Sequence, residues 1–305
     1  MITCSACAKI ILFGEHAVVY NQPAIAVPIS SLRATVSVSE ASQFALVARN
    51  LNNQQFNADE LNNPFVKLVQ TICMSLEQLL PKATFTIHSN ISIASGLGSG
   101  AAIATALGRA VFTYFGRDAA PEILNPFVYE TEKVYHGTPS GIDNTVIVYE
   151  KPIYFVRGEP IQVLTKFVPF TIVVANTGVE ASTKEAVGDV RKLYEANPIS
   201  ISALFDEIGT IAKQGYVCMQ DGSIQKMGQR MTANHHLLQQ LTVSSKELDR
   251  LVDSALQNGA LGAKLSGGGR GGNMIALVTP ENSERVQQAL LKTGATNVFV
   301  TEVQP

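Results

Sequence analysis

The sequence predicts an α+β protein of two domains, and three observations carry that expectation. The stretch Phe85-Thr86-Ile87-His88-Ser89-Asn90-Ile91-Ser92-Ile93 alternates apolar and polar residues as a half-buried strand does. Residues 62–80 instead repeat Phe65, Leu68, Val69, Ile72 and Leu79 at helical spacing. Strand-like and helix-like runs then follow one another with no fixed period, which excludes a repeat array. With 305 residues, 46% hydrophobic and 16% charged, the chain is long and apolar enough for two cores. Long helical stretches take over beyond Phe167, so the expected domains are residues 1–167 and 168–305.

In the first domain, residues 24–38 and 44–51 read as strands, and Asn50 to Gln55 as a polar turn. A helix is expected from Gly100 to about Phe115, where Gly116 stops it, and a second over residues 121–134. Strand-like runs follow at 145–149 and 153–156. In the second domain a strand at 170–175 precedes helices at 183–196, 199–220, 224–241 and 245–257. A strand at 273–278, a helix at 282–293 and a strand at 297–303 complete the chain.

A formal net charge of −2 leaves no basic excess to neutralise a nucleic-acid backbone or an anionic membrane, so small anionic or neutral molecules are the expected partners. The apolar N-terminal run has no basic leader and is broken by Lys9, Glu15 and His16. No segment approaches the ~20 uninterrupted apolar residues of a membrane span, and a cytoplasmic protein is expected. Four cysteines are too few for a disulfide framework. Cys4 and Cys7 form a CxxC that could mean zinc or redox chemistry. Cys73 and Cys218 supply no second pair, however, and the motif runs into strand-like Ile10 to Phe13, which favours packed, reduced thiols.

Three glycine-bearing segments carry the chemistry: KIILFGEH at Lys9 to His16, SGLGSGAA at Ser95 to Ala102, and KLSGGGRGGN at Lys264 to Asn273. The middle one follows the alternating strand and opens into Ala101-Ala102-Ile103-Ala104, so it reads as strand, loop and helix start. Unpaired N–H groups at such a start bind anions. The segment is neither a Walker loop nor a GxGxxG, and glycines serve a tight turn as well as a phosphate cradle; its place between strand and helix favours the cradle. Gly267 to Gly272, interrupted by Arg270, could be a linker. The apolar strand that follows at once makes a backbone-lined pocket wall the better reading. Phosphoryl transfer needs positioned phosphates, neutralising cations and an acceptor for the attacking hydroxyl's proton. In the segment 132–144, Asp143 in a Gly-Ile-Asp-Asn turn can be that acceptor, or merely a turn cap, and Glu132 on the preceding helix can hold Mg²⁺.

In their order and separation, the three segments resemble the motifs of the GHMP kinase superfamily, named for galactokinase, homoserine kinase, mevalonate kinase and phosphomevalonate kinase. KIILFGEHAVVY at Lys9 to Tyr20, EKVYHGTPSGIDN at Glu132 to Asn144 and NHHLL at Asn234 to Leu238 resemble its mevalonate-phosphorylating members in particular. The resemblance implies an N-terminal domain like ribosomal protein S5 domain 2, a ferredoxin-like C-terminal domain, ATP and Mg²⁺ as cofactors, and a possible homodimer. It implies that Lys9 and Asp143 are catalytic, and that both also face the substrate with Glu15 and His16. Ser95, Gly96, Leu97, Gly98, Ser99, Gly100 and Ala101 would bind the ATP phosphates, Glu132 and Ser99 the metal, and Ser266 and Gly267 would open the C-terminal glycine motif. The chain departs from the pattern at Gly100, where a second serine is usual, at Arg270 within the glycine run, and at Cys7-Ala8, where Pro-Gly is common. Another acceptor within the superfamily and a non-catalytic sensor are the alternatives, the latter disfavoured because Lys9, Glu132 and Asp143 are all retained. His235 and His236 receive no role.

Overall fold

Strand β1 (Ile2–Phe13) has an apolar second half buried without interruption from Ala6, which draws Lys9 into the interior with it. The computed structural model describes residues 2–49, 53–60, 62–92, 96–136 and 139–305, apart from the side chains of Tyr135 and His136. Two compact units form. One comprises Met1–Lys9, Ile29–Ser92 and Gly98–Glu150; the other comprises Ile10–Pro28, Ile93–Leu97 and Lys151–Pro305.

In the first unit, β2 (Ala24–Glu40, from Ile29 on), β3 (Ala45–Ala48), β4 (Gln54–Asn57) and β5 (Ala83–Ser89) lie in the order β4-β3-β5-β2, and β1 pairs with β2. Antiparallel pairing sets Val36 opposite Ile87 and Val38 opposite Phe85, so the alternation read in the sequence becomes one buried face. Helices α1 (Pro64–Ser75), α2 (Ser99–Tyr114), α3 (Pro121–His136) and α4 (Ile142–Tyr149) complete this unit. α2 is rich in alanine, and at Gly108 a β-carbon would stand 2.5 Å from Leu124 Cδ1 of α3, so these two helices cross closely.

Three expectations are corrected here. α1 starts under Asn63, whose side chain accepts from the Phe65 and Val66 amides, but it ends at Ser75 and not at residue 80. Glu77 turns left-handed (φ 54°) and the Gln78 amide donates back to Cys73 O at 2.9 Å, a closure that leaves Leu79 exposed. Residues 145–149 are helical, not extended: Ile142, Val146, Ile147 and Val148 are all buried, and packing on every side overrides the strand preference of a β-branched run. β4 takes Gln54 and Gln55 out of the expected turn, and residues 50–52 lie outside the described residues.

In the second unit, β8 (Phe170–Asn176), β9 (Gly262–Ser266), β10 (Asn273–Val278) and β11 (Asn297–Val303) form an antiparallel sheet in the order β11-β8-β10-β9. Counted within this sheet, the first strand lies between the fourth and the third, the ferredoxin-like order. Between β8 and β9 run α5 (Thr183–Ala196), α6 (Pro198–Asp221), α7 (Ile224–Gln240) and α8 (Lys246–Gln257), and α9 (Pro280–Thr293) joins β10 to β11. The β2 segment Ala24–Ala26 pairs here with β6 (Ile153–Phe155), which pairs with β7 (Gln162–Val163). The five-residue β9 went unread in the sequence because Lys264 interrupts its apolar run.

α7 meets β9 backbone to backbone: a β-carbon on Gly228 would stand 2.3 Å from Leu261 O, and one on Gly262 would stand 1.9 Å from Gly228 O. A methyl group there forces helix and strand apart. Gly228→Ala is expected to lower stability by about 2–3 kcal/mol. Gly188→Ala, where nothing lies within 4 Å of the added carbon on α5, is expected to gain about 0.5–1 kcal/mol. Urea denaturation of the two variants checks the pair.

Candidate active site

In the first unit, Lys9 crosses the core and its ammonium meets Asp143 Oδ1 at 2.9 Å; the lysine side chain is 3% exposed and the aspartate 35%. A buried cation therefore holds a carboxylate whose other side reaches solvent, the arrangement a proton acceptor needs. Asp143 stands in the first turn of α4 after Gly141, which opens the helix at φ 93°. The helix has no side-chain cap, so no capping hydrogen bond from Asp143 is present.

Glu132 on α3 is buried, and its carboxyl pKa is pushed up to about 7, first by burial and then by the negative charge of Asp143, with Lys9 pulling the other way. A β-carbon on Gly100 would stand 3.1 Å from Glu132 Oε1, so the glycine at this departure from the family pattern leaves the carboxylate next to the start of α2. α2 has no side-chain cap: its N-cap is Gly98 in the left-handed conformation (φ 77°), and the amides that follow, at Ser99, Gly100 and Ala101, begin the helix. Gly98 is sterically required, because a β-carbon there would stand 2.6 Å from Ile147 Cδ1 and 3.1 Å from Lys9 Cγ. Mg²⁺ commonly takes one or two protein carboxylates and completes its shell with phosphate oxygens and water. One buried carboxylate, raised by burial and then by its neighbour's negative charge, fits that ion, and no group of three or more His, Cys, Asp or Glu among the described residues is arranged to hold a metal alone.

The second unit holds Glu15 and His16. Both are buried, and Glu15 pairs with Lys264, whose side chain is 0% exposed. Burial draws the Lys264 ammonium below its ordinary value, while Glu15 supports its charge. Lys264 was not singled out from the sequence; the available signal was a lone lysine inside an otherwise apolar strand ahead of a glycine cluster. His16 takes a left-handed backbone (φ 60°), and its Nε2 lies 3.0 Å from Gly268 O, so Nε2 carries the proton and donates. Burial lowers its pKa to about 4, which leaves a neutral ring whose Nδ1 has no hydrogen-bond partner among the described residues.

Ser266 fastens the C-terminal glycine segment to β1, accepting from the Ile11 amide at 3.1 Å and donating to Ile11 O at 2.9 Å. Within the same unit Gly96 lies next to Gly267, where an added β-carbon would stand 3.9 Å from Gly96 O. Leu97 is buried beside Gly96, and Ser95 lies outside the described residues. Arg270, which interrupts the glycine run, donates to Asp189 Oδ2 at 2.5 Å. Cys4 and Cys7 sit three residues apart on one strand and so point to opposite faces, and burial pushes the Cys7 thiol up to about 12.

Helix starts without side-chain caps, glycine segments and a lysine–aspartate pair on this two-domain α+β fold define a GHMP-type kinase. The family descriptions "GHMP kinases N terminal domain" and "GHMP kinases C terminal" match residues 63–151 and 216–296. Mevalonate kinase of Thermococcus sibiricus is 35% identical, covering 96% of this chain and 93% of the relative. That of Pyrococcus abyssi is 34% identical over 97% and 94%. A crystal structure of L. major mevalonate kinase in complex with R-mevalonate superposes with a TM-score of 0.84 at 29% identity, covering 100% of this chain and 96% of that one. The chain belongs to the mevalonate kinase family of the GHMP kinases.

The titrations of Glu132 and the two histidines oppose one another. His16 and His235 are both lowered to about 4, so the unfolded chain binds more protons and stability falls as pH drops from about 6.5 towards 4. Glu132 is raised from 4.5 to about 7, so the folded chain binds the extra proton and stability rises as pH drops from about 7 to 4.5. Without metal or nucleotide, Glu132→Gln should therefore lose more stability than the parent between about pH 7 and 5, by about 2 kcal/mol. Parallel urea-midpoint curves for the two proteins would contradict that assignment.

Proposed function

We propose that this protein transfers the terminal phosphoryl group of ATP to the C5 hydroxyl of mevalonate, giving 5-phosphomevalonate and ADP in the mevalonate pathway of isoprenoid biosynthesis. The observation that carries this reading is the buried Lys9 ammonium on the half-exposed Asp143 carboxylate. Support comes from the relatives of similar length that are named mevalonate kinase, and from the R-mevalonate present in the L. major structure.

In this reading Asp143 accepts the proton of the C5 hydroxyl as its oxygen attacks the γ-phosphorus, and the bridging oxygen leaves with ADP. Lys9 pairs with the Asp143 carboxylate and offsets the charge that develops on the transferred group. The amides at the start of α2, with Ser95, Gly96 and Leu97 before them, receive the ATP phosphates, and a glycine at 98 keeps the Lys9 stem clear. Glu15 and His16 face the acceptor, with the bare Nδ1 of His16 able to take a hydrogen bond from a hydroxyl. Glu132 and Ser99 would hold Mg²⁺, which when bound neutralises phosphate charge. No helix among the described residues is long and apolar enough to cross a membrane. The reading places the reaction in the cytoplasm and takes the working form as a homodimer, as the family resemblance implies.

Purified protein given ATP, Mg²⁺ and mevalonate should release ADP and yield a product that ³¹P and ¹H NMR place at C5, with phosphomevalonate, galactose and homoserine inert beside it. Turnover on one of those instead would sink the assignment. Asp143→Asn should lose about a thousandfold in kcat with ATP affinity by calorimetry within about twofold; unchanged turnover removes Asp143 as the proton acceptor. Glu132→Gln should raise the Mg²⁺ concentration for half-maximal rate by at least about tenfold while the KM for mevalonate holds. An unshifted Mg²⁺ titration would take Glu132 out of the metal shell.

A further inference from the structure

The histidines of the NHHLL segment receive no role from the sequence, yet the first of them occupies a defined place where α7 meets β9. β9 is the end strand of its sheet, bonded to β10 on one side only, so alternate N–H groups on its other side need partners from elsewhere. α7 supplies them. Gly228 lets the helix touch the strand, Thr232 Oγ1 accepts the Ala263 amide at 3.3 Å, and His235 Nδ1 accepts the Leu265 amide at 3.3 Å. Residues 228, 232 and 235 recur at helical spacing, so one face of α7 stands in for the missing strand.

An imidazole accepts at Nδ1 only while its proton is on Nε2. The Nε2 of His235 lies 3.1 Å from Asp249 Oδ1, which accepts that proton's hydrogen bond, and Ser244 Oγ donates to the same oxygen at 2.5 Å. Burial keeps the ring neutral, with its pKa lowered to about 4 against the pull of Asp249. The backbone of Leu265 is then held on both sides of its α-carbon, because its carbonyl accepts from Lys264 Nζ at 2.6 Å, and the same ammonium pairs with Glu15.

We propose that His235 is a positioning residue for the phosphoryl transfer: in the tautomer that Asp249 fixes, it holds the Leu265 amide and thereby sets where the Lys264 ammonium meets Glu15. The catalytic consequence rests on the reading of Glu15 as a residue that faces the acceptor. The bond network itself does not depend on that reading.

The test uses the full chain as His235→Ala, as His235→Asn, whose side-chain oxygen can take the place of Nδ1, and as Asp249→Ala. In the parent, ¹⁵N NMR should show His235 protonated on Nε2 and bare on Nδ1 between about pH 6 and 8, and Asp249→Ala should mix the tautomers. Hydrogen exchange of the Leu265 amide should quicken at least about tenfold in His235→Ala and return towards the parent in His235→Asn. The KM for mevalonate should rise about tenfold in His235→Ala, with the KM for ATP within about twofold, and His235→Asn should recover most of the loss. A proton on Nδ1 or unchanged Leu265 exchange overturns the network in the parent protein and in the Asn variant, even if the Ala variant does not fold. A mevalonate KM unmoved in folded His235→Ala, while Glu15→Gln raises it, overturns the positioning role. If Glu15→Gln changes neither KM nor kcat, the acceptor-facing role of Glu15 falls and takes the catalytic half of the proposal with it, while the NMR and exchange results still judge the network.

Discussion

A lysine ammonium taken out of water must meet a carboxylate, and each unit of this protein is organised around one such demand. Leaving either charge unpaired in the interior costs several kcal/mol, a large part of the stability of a domain. In the first unit Lys9 answers to Asp143, which fixes where the N-terminus of α4 lies against β1. In the second unit Lys264 answers to Glu15, which fixes the segment after β1 against β9. The two pairs differ in access to solvent: Lys264 and Glu15 are both fully enclosed, whereas the Asp143 side chain is 35% exposed. The enclosed pair suits a structural or orienting task. The half-open one suits chemistry on a group that arrives from outside.

Backbone groups do much of the remaining work. α2 begins without a side-chain cap, and the close approach of Lys9 and Ile147 requires the glycine at that cap, so the amides of its first turn stay available to an anion. Around Glu132, burial first and the nearby Asp143 carboxylate second outweigh the pull of Lys9, and the carboxyl group is raised to about 7. A divalent cation brought in with nucleotide phosphates is a natural complement to such a set. Gly100 belongs to the same account, since the space that a serine side chain would occupy borders the Glu132 carboxylate.

Much of the fold was legible because burial and periodicity agree over long stretches. The strand Asn273–Val278, the helix Thr183–Ala196 and the strand Asn297–Val303 have the limits that their patterns indicate. Reading failed where local preference and packing disagree. Thr145 to Val148 is a β-branched run that any propensity scale places in a strand, yet it is helical because its side chains are enclosed on all sides. Leu79 fits the helical period of α1 but lies beyond a left-handed residue, Glu77, that no periodicity reveals.

By itself the sequence determined which residue types stand together in short segments: glycines before a helix, an aspartate after Ser-Gly-Ile, a lysine in an apolar strand. Those local features follow from backbone sterics and from the period of burial, and it was their resemblance to the GHMP kinase motifs that pointed to the class of protein. Tertiary structure alone decided which charges share a partner. Lys9 and Asp143 are separated by most of the first unit's chain, and Lys264 and Glu15 by 249 residues; only close packing in a medium that cannot solvate a lone ammonium brings such groups together. The same holds for His235, an ordinary helix residue by its pattern, whose part is set by the unpaired edge of a strand that the sequence did not announce.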